Sequence, residues 1–165
     1  MVTGGACGIG RAISMTLAQG GAMVIIADIN KASAEKTVRQ MAPGTAVAVQ
    51  TDISSEASIQ QLFAFTMEKF GKIDLVVNNA GIFKATPLLE TSAAEWDAIM
   101  AVNLRGTFLM CREALRLMPR QGYGKIINIA STAGKTGGTM AGVHYAASKA
   151  AVICLTKTLA RYAAQ

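Results

Sequence analysis

Short apolar runs alternate along this chain with longer stretches of helical periodicity. Met23-Val-Ile-Ile-Ala27 is continuously apolar, as a strand must be when both of its faces are covered. Ala46-Val-Ala-Val49, Ile73-Asp-Leu-Val-Val77 and Lys125-Ile-Ile-Asn-Ile129 repeat that pattern. Between the runs, apolar residues recur every three or four positions: Ile9, Ile13 and Leu17; then Ala34, Val38 and Met41; then Ile59, Leu62, Phe63 and Phe70. Ser92 and Glu95 stand at capping-box spacing. They open a long predicted helix through Ile99, Leu104, Phe108 and Leu115 that stops before Pro119. The last predicted helix runs from about Tyr145 through Val152, Leu155 and Leu159. Pro43-Gly44 and Gly122-Tyr-Gly124 mark turns. This alternation predicts an α/β fold: a doubly wound parallel sheet with helices on both faces.

Composition narrows the picture without changing it. A chain of 165 residues, 52% hydrophobic and 16% charged, has the size of one domain and is far from the disordered regime. No run approaches the ~18 apolar residues of a membrane span, and the first residues lack the basic end and apolar stretch of a signal peptide. Cys7, Cys111 and Cys154 have neither metal-ligand nor disulfide spacing, which points to a reduced, cytoplasmic protein with no metal site. The net charge of +6 raises the question of nucleic acid. The basic residues are mostly scattered singly, without the interleaved aromatics of a nucleic-acid surface, so a basic solvated surface is the expectation.

Chemistry gathers at the joints of the pattern. Gly4, Gly8 and Gly10 sit between the first apolar residues and a helix, where glycines let backbone N–H groups approach a pyrophosphate. A plain strand-to-helix turn would give the same spacing. Asp28 ends the second strand, 18 residues beyond Gly10. A carboxylate there can accept hydrogen bonds from ribose hydroxyls and repel a 2′-phosphate, favouring NAD over NADP; Lys31 nearby works against that preference. The lesser alternative for Asp28 is a simple cap for the helix starting near Asn30. Tyr145 and Lys149 are four residues apart, one above the other if a helix begins there. An ammonium held beside a phenol, whose ordinary pKa is about 10, favours the phenolate and suits it to acid–base work. Asn103 lies inside a predicted helix despite its poor propensity, and Ser131 follows the fifth strand. His144 is the single histidine; adjacent helix positions face different ways, so it reads as a rim residue or, alternatively, as part of a substrate pocket.

Thr3-Gly-Gly-Ala-Cys-Gly-Ile-Gly10, Asn78-Asn-Ala-Gly81, Asn103, Ser131 and Tyr145-x-x-x-Lys149 stand in the order and approximate spacing of one enzyme design. On these motifs the chain resembles the short-chain dehydrogenase/reductase family in its TGxxxGxG form. The likeness runs along essentially all 165 residues. The resemblance implies a Rossmann-like sheet and an NAD(P)-dependent oxidoreductase moving hydride between the cofactor and a secondary alcohol or ketone. It assigns Tyr145 as proton donor and acceptor and as a cofactor contact, Lys149 to the nicotinamide ribose, Ser131 to the substrate oxygen and Asn103 to a helix kink and a proton relay through water. Asp52 would bond the adenine amino group, although a helix-capping role fits its spacing as well. Asn79, Ala80 and Gly81 would line the adenosine and ribose side, and Ile9, Ile29 and Ile53 complete the implied cofactor contacts. The closest flavour is that of bacterial 3-oxoacyl-carrier reductases and polyol dehydrogenases, which implies a small-molecule substrate and a homodimer or homotetramer built on the long helix and the last one.

Residues 1–165 are thus expected to form one dinucleotide-binding domain, incomplete at both ends relative to the family: strand one is short, and strands six and seven are missing. The rival expectation is a non-catalytic dinucleotide-binding fragment or assembly module. On either view the chain as written is expected to be marginally stable and at best feebly active.

Overall fold

The computed structural model describes residues 1–138 and 140–164. Five parallel strands alternate with helices: β1 (Val2–Thr3), α1 (Gly8–Gln19), β2 (Val24–Asp28), α2 (Lys31–Val38), β3 (Ala46–Gln50), α3 (Glu56–Phe70), β4 (Leu75–Asn78), α4 (Ala93–Met100), α5 (Thr107–Gln121), β5 (Lys125–Asn128), a one-turn α6 (Ala133–Thr136) and α7 (Val143–Ala163). The sheet order is β3-β2-β1-β4-β5. The chain therefore winds outward in one direction from β1, then reverses at β4, and the crevice at that reversal is where such sheets hold ligands.

Strict alternation across the pleat explains why the strands read as unbroken apolar runs. Ile25, Ala27 and Val76 face one layer, packed with Ile59, Leu62 and Phe63 of α3 and with Leu109, Met110 and Ala114 of α5. Val24, Ile26, Val2 and Val77 face the other, against Ile13 and Leu17 of α1 and Ala34 of α2. Ile26, Ile59 and Leu62 are fully buried, each contributing about 1.5–3 kcal/mol of hydrophobic stabilisation. β1 supplies only two residues to the sheet centre, Val2 opposite Ile26 and Thr3 opposite Ala27, with Val2 also opposite Val77. β3 and β5 are the two edges of this sheet.

Three sequence expectations are corrected. Ile9 does not share the buried stripe of Ile13 and Leu17; it is 66% exposed. The helix opened by Ser92 is not continuous α-helix, because Ala101–Gly106 winds as a π-helix between α4 and α5. Nor does it stop before Pro119, which lies inside the last turn of α5. A proline there forfeits one hydrogen bond, and the stop comes from Gly122, whose φ of 68° is open to glycine at low cost.

Candidate functional site

At the carboxyl ends of β1, β2 and β4 lies a cavity of about 560 Å³, and every residue assigned to the cofactor except Tyr145 and Lys149 lines it. The glycine loop supplies Gly4, Gly8, Ile9 and Gly10; the end of β2 supplies Asp28 and Ile29; the loop after β3 supplies Asp52 and Ile53; the loop after β4 supplies Asn79, Ala80 and Gly81.

The loop is built for close approach. Gly4 and Gly8 have φ of 59° and 51°, where a side chain is strained. A Cβ on Gly10 would fall on the Gly4 carbonyl and 2.5 Å from the Asn79 amide nitrogen. Asn79 holds the loop by donating to the carbonyls of Thr3 at 3.0 Å and Gly4 at 3.1 Å. In turn the Thr3 hydroxyl accepts the backbone N–H groups of Asn79 and Ala80. At the start of α1, Cys7 makes no side-chain cap and no acidic residue occupies the first turn. The first-turn N–H groups are thus left to a ligand, and the positive end of the helix favours an anionic one. These features fit a dinucleotide with its pyrophosphate on α1.

Asp28 is partly committed: its carboxylate accepts the N–H of Ala6 at 3.1 Å and of Asn30 at 3.0 Å. It does not cap α2, a role taken by the Asn30 side chain, which accepts the Ser33 N–H. Asp52 likewise accepts the N–H and hydroxyl of Ser54, while Ser55 caps α3. Both aspartates line the cavity and stiffen its loops at once.

Asn103 sits in the π-helical segment, fully buried. The wide turn aims its side chain at the loop after β4, where it accepts the N–H of Ile82 at 2.8 Å and donates to the Ile82 carbonyl at 2.9 Å and the Ser148 hydroxyl at 3.1 Å. The segment passes close to the loop after β3, since a Cβ on Gly106 would lie 2.6 Å from the Ile53 carbonyl oxygen. Lys149 is 5% exposed. Its ammonium donates to the Ile129 carbonyl at 2.7 Å and stands 5.9 Å from the centroid of the Tyr145 ring. Burial pushes this ammonium below the usual lysine range. No hydrogen bond joins Asn103 to Lys149 directly, but a Cβ on Gly81 would lie 3.2 Å from Asn103 Oδ1 and 3.5 Å from Lys149 Nζ. Gly81 thus brings the wall of the cavity against both groups. Tyr145 is half-buried, with the Phe83 ring set edge-on at 4.9 Å and 81°. Ser131 is not bonded to Tyr145; its hydroxyl accepts the Ala133 N–H at 3.2 Å, at the start of α6.

Several contributors escaped the sequence reading. Phe83 and Ser148 act through Tyr145 and Asn103, both distant in sequence, so no local signal marks them. Thr3 reads from the sequence only as the first residue of the glycine motif, which does not show its bond to Ala80, 77 positions on. His144 is not a rim residue: it is fully buried and bonded to Glu95 at 2.7 Å. The capping box is half made, for Ser92 accepts the Glu95 N–H whereas the Glu95 carboxylate turns to His144 and to Lys84, at 2.9 Å. Hydrogen bonds from Thr86, then His144 and Lys84, pull the Glu95 carboxyl down to about 2 from its ordinary 4.5. A depressed carboxylate stabilises the fold fully above pH 4.5 and loses that contribution as pH falls toward 2. The unfolding temperatures of the parent and of Glu95→Gln should therefore converge between those pH values; a constant gap would contradict the role given to Glu95.

A larger cavity of about 660 Å³, between residues 85–88, α6 and α7, is lined by none of the predicted site residues. Among the described residues no helix is long and apolar enough to cross a membrane.

Comparison with known proteins agrees with the fold. The model of the short chain dehydrogenase family matches residues 1–165, and the chain belongs to that family, whose members use nicotinamide cofactors. It is 42% identical over 159 residues to a sorbitol dehydrogenase of Cereibacter sphaeroides, covering 96% of this chain and 61% of the relative. It is 38% identical over 164 residues to a 3-oxoacyl-[acyl-carrier-protein] reductase of Synechocystis, covering 98% and 66%. A crystal structure of a short chain dehydrogenase from Bacillus anthracis superposes with a TM-score of 0.93 at 32% identity, covering 98% of this chain and 66% of that one. The chain thus spans about three fifths to two thirds of the length of these relatives.

Proposed function

We propose that residues 1–165 form one dinucleotide-binding unit of an NAD-dependent oxidoreductase acting on a secondary alcohol or the corresponding ketone. The observation that carries this reading is the position of Gly81: it lines the cavity at the carboxyl ends of the strands, and a Cβ on it would come within 3.5 Å of the Lys149 ammonium. The cavity and the Tyr145–Lys149 helix therefore belong to one site. A nicotinamide dinucleotide held by Gly4, Gly8, Gly10, Asp28 and the loop after β4 would supply or take up the hydride. In the reducing direction Tyr145 gives a proton to the substrate oxygen, and Ser131 turns its hydroxyl from Ala133 to steady the same oxygen. Lys149 holds positive charge beside the phenol and binds the ribose, while Asn103 keeps the loop at Ile82 and the last helix in register.

The names of the two relatives suggest a polyol or a 3-oxoacyl thioester as substrate. The exposed Phe108 and the groove it lines with Leu104 and Leu155 support self-association through α5 and α7. The free cysteines accord with a cytoplasmic setting. The test is NADH oxidation against a panel of polyol-derived ketones, sugars and 3-oxoacyl thioesters. Turnover of any of them supports the proposal, while tight NADH binding without turnover would favour the non-catalytic dinucleotide-binding reading.

Cofactor choice gives a separate test. Asp28→Ala combined with Asn30→Arg removes the carboxylate facing the ribose and adds a cation beside it, so kcat/KM should move from NAD toward NADP by about 10-fold or more. A parent that already prefers NADP would defeat the assignment of Asp28.

A further inference from the structure

The helix that carries Tyr145 begins without an ordinary cap. Gly142 occupies the N-cap position and has no side chain to offer, although the first N–H groups of a helix need acceptors from outside it. The Ala146 N–H returns to the Gly142 carbonyl at 3.1 Å. The Tyr145 N–H is instead taken at 2.8 Å by Nδ1 of His144. The imidazole lies where a capping side chain would otherwise project: a Cβ on Gly142 would collide with the ring Cε1 and lie 2.8 Å from Nδ1.

A ring nitrogen that accepts carries no hydrogen, so the ring proton sits on Nε2 and is donated to Glu95 Oε1 at 2.7 Å. The other oxygen of Glu95 receives the Lys84 ammonium, and the Lys84 carbonyl receives the Gly142 N–H at 3.0 Å. The circuit closes on the residue where it began, and Phe83, next to Lys84 in the chain, packs edge-on against the Tyr145 ring. We infer that His144 is a positioning residue for Tyr145, an internal cap held in its Nε2–H tautomer by Glu95, which fixes the start of α7 and with it the place of the phenol. The consequence for turnover rests on the function proposed above; the capping itself does not.

His144 is the only histidine in the chain, so its ring nitrogens can be read without assignment ambiguity by long-range ¹H–¹⁵N correlation on the labelled protein. A single Nε2–H form with an unprotonated Nδ1 is expected; an Nδ1–H form or an averaged mixture overturns the inference. Asparagine places its Oδ1 near the position of Nδ1, whereas leucine offers no acceptor. In His144→Leu the Tyr145 amide should exchange with solvent at least about 10-fold faster, and His144→Asn should recover most of the protection. Equal protection in the leucine and parent proteins, or no recovery in the asparagine variant, overturns it. If the leucine variant does not fold, the parent tautomer and the asparagine exchange rate still decide. On a substrate found active, His144→Leu should lower kcat by about 10–10²-fold with NAD affinity unchanged, and asparagine should restore part of it; an unchanged kcat overturns the positioning role. Absence of turnover in the parent would count against the proposed function instead, and leave the tautomer and exchange results to judge the cap.

Discussion

Tyr145→Phe is expected to lower turnover by about 10²–10⁴-fold, the usual cost of removing one acid–base group, with NADH affinity unchanged. The substitution deletes one oxygen and keeps the ring. The Phe83 contact, made with the ring at 4.9 Å, should survive, as should the backbone N–H bond to His144. The cavity loses none of its lining residues, since Tyr145 is not among them. Stopped-flow reduction of an active ketone, together with fluorescence titration of NADH, separates the two effects. A phenylalanine variant turning over near the parental rate would remove Tyr145 as the proton donor and leave the site as a binding crevice.

Gly10→Ala should damage the fold and the cofactor site together. Gly10 is buried, and its added methyl group would fall on the Gly4 carbonyl and 2.5 Å from the Asn79 amide nitrogen. Backbone on one side and a doubly hydrogen-bonded side chain on the other leave no flexible end to yield. Overpacking of this kind costs about 1–3 kcal/mol, equivalent to a fall of roughly 2–12 °C in Tm for a chain of this size. Relief by opening the loop would break the Asn79 bonds to Thr3 and Gly4, and so widen the proposed seat of the pyrophosphate. NAD affinity should fall along with stability. Thermal unfolding and calorimetric titration of the variant test both arms, and parental values in each would show that the loop is not the tight structure described here.

The alternating layers were legible because each rests on local rules. A strand covered on both faces must be apolar throughout, as Val24–Asp28 nearly is, and a helix covering it repeats its apolar residues at three and four. The glycine loop was legible for the same reason: φ near +60° at Gly4 and Gly8 is a demand the backbone makes on the residue type itself. Tyr145 and Lys149 could be paired because four helical residues bring two side chains onto one face.

What the sequence could not determine was the second partner of each polar group. Spacing left Asp52 open between a cofactor contact and a helix cap, and left a cap as the lesser alternative for Asp28; in the fold Asn30 and Ser55 do the capping, and the aspartates brace loops on the cavity wall. Glu95 reads as the far half of a capping box, yet tertiary packing gave its carboxylate to His144 and Lys84. His144 reads as a surface residue beside Tyr145, yet the approach of α4 to α7 buried it completely. Asn103 stood out only as a poor helix former, and its partners at Ile82 and Ser148 lie 21 and 45 positions away. Periodicity and backbone conformation are properties of neighbours in sequence and are written there. Hydrogen-bond partners across the sheet are chosen by the three-dimensional approach of distant elements, because a buried polar group must be satisfied by whatever the fold brings within about 3 Å.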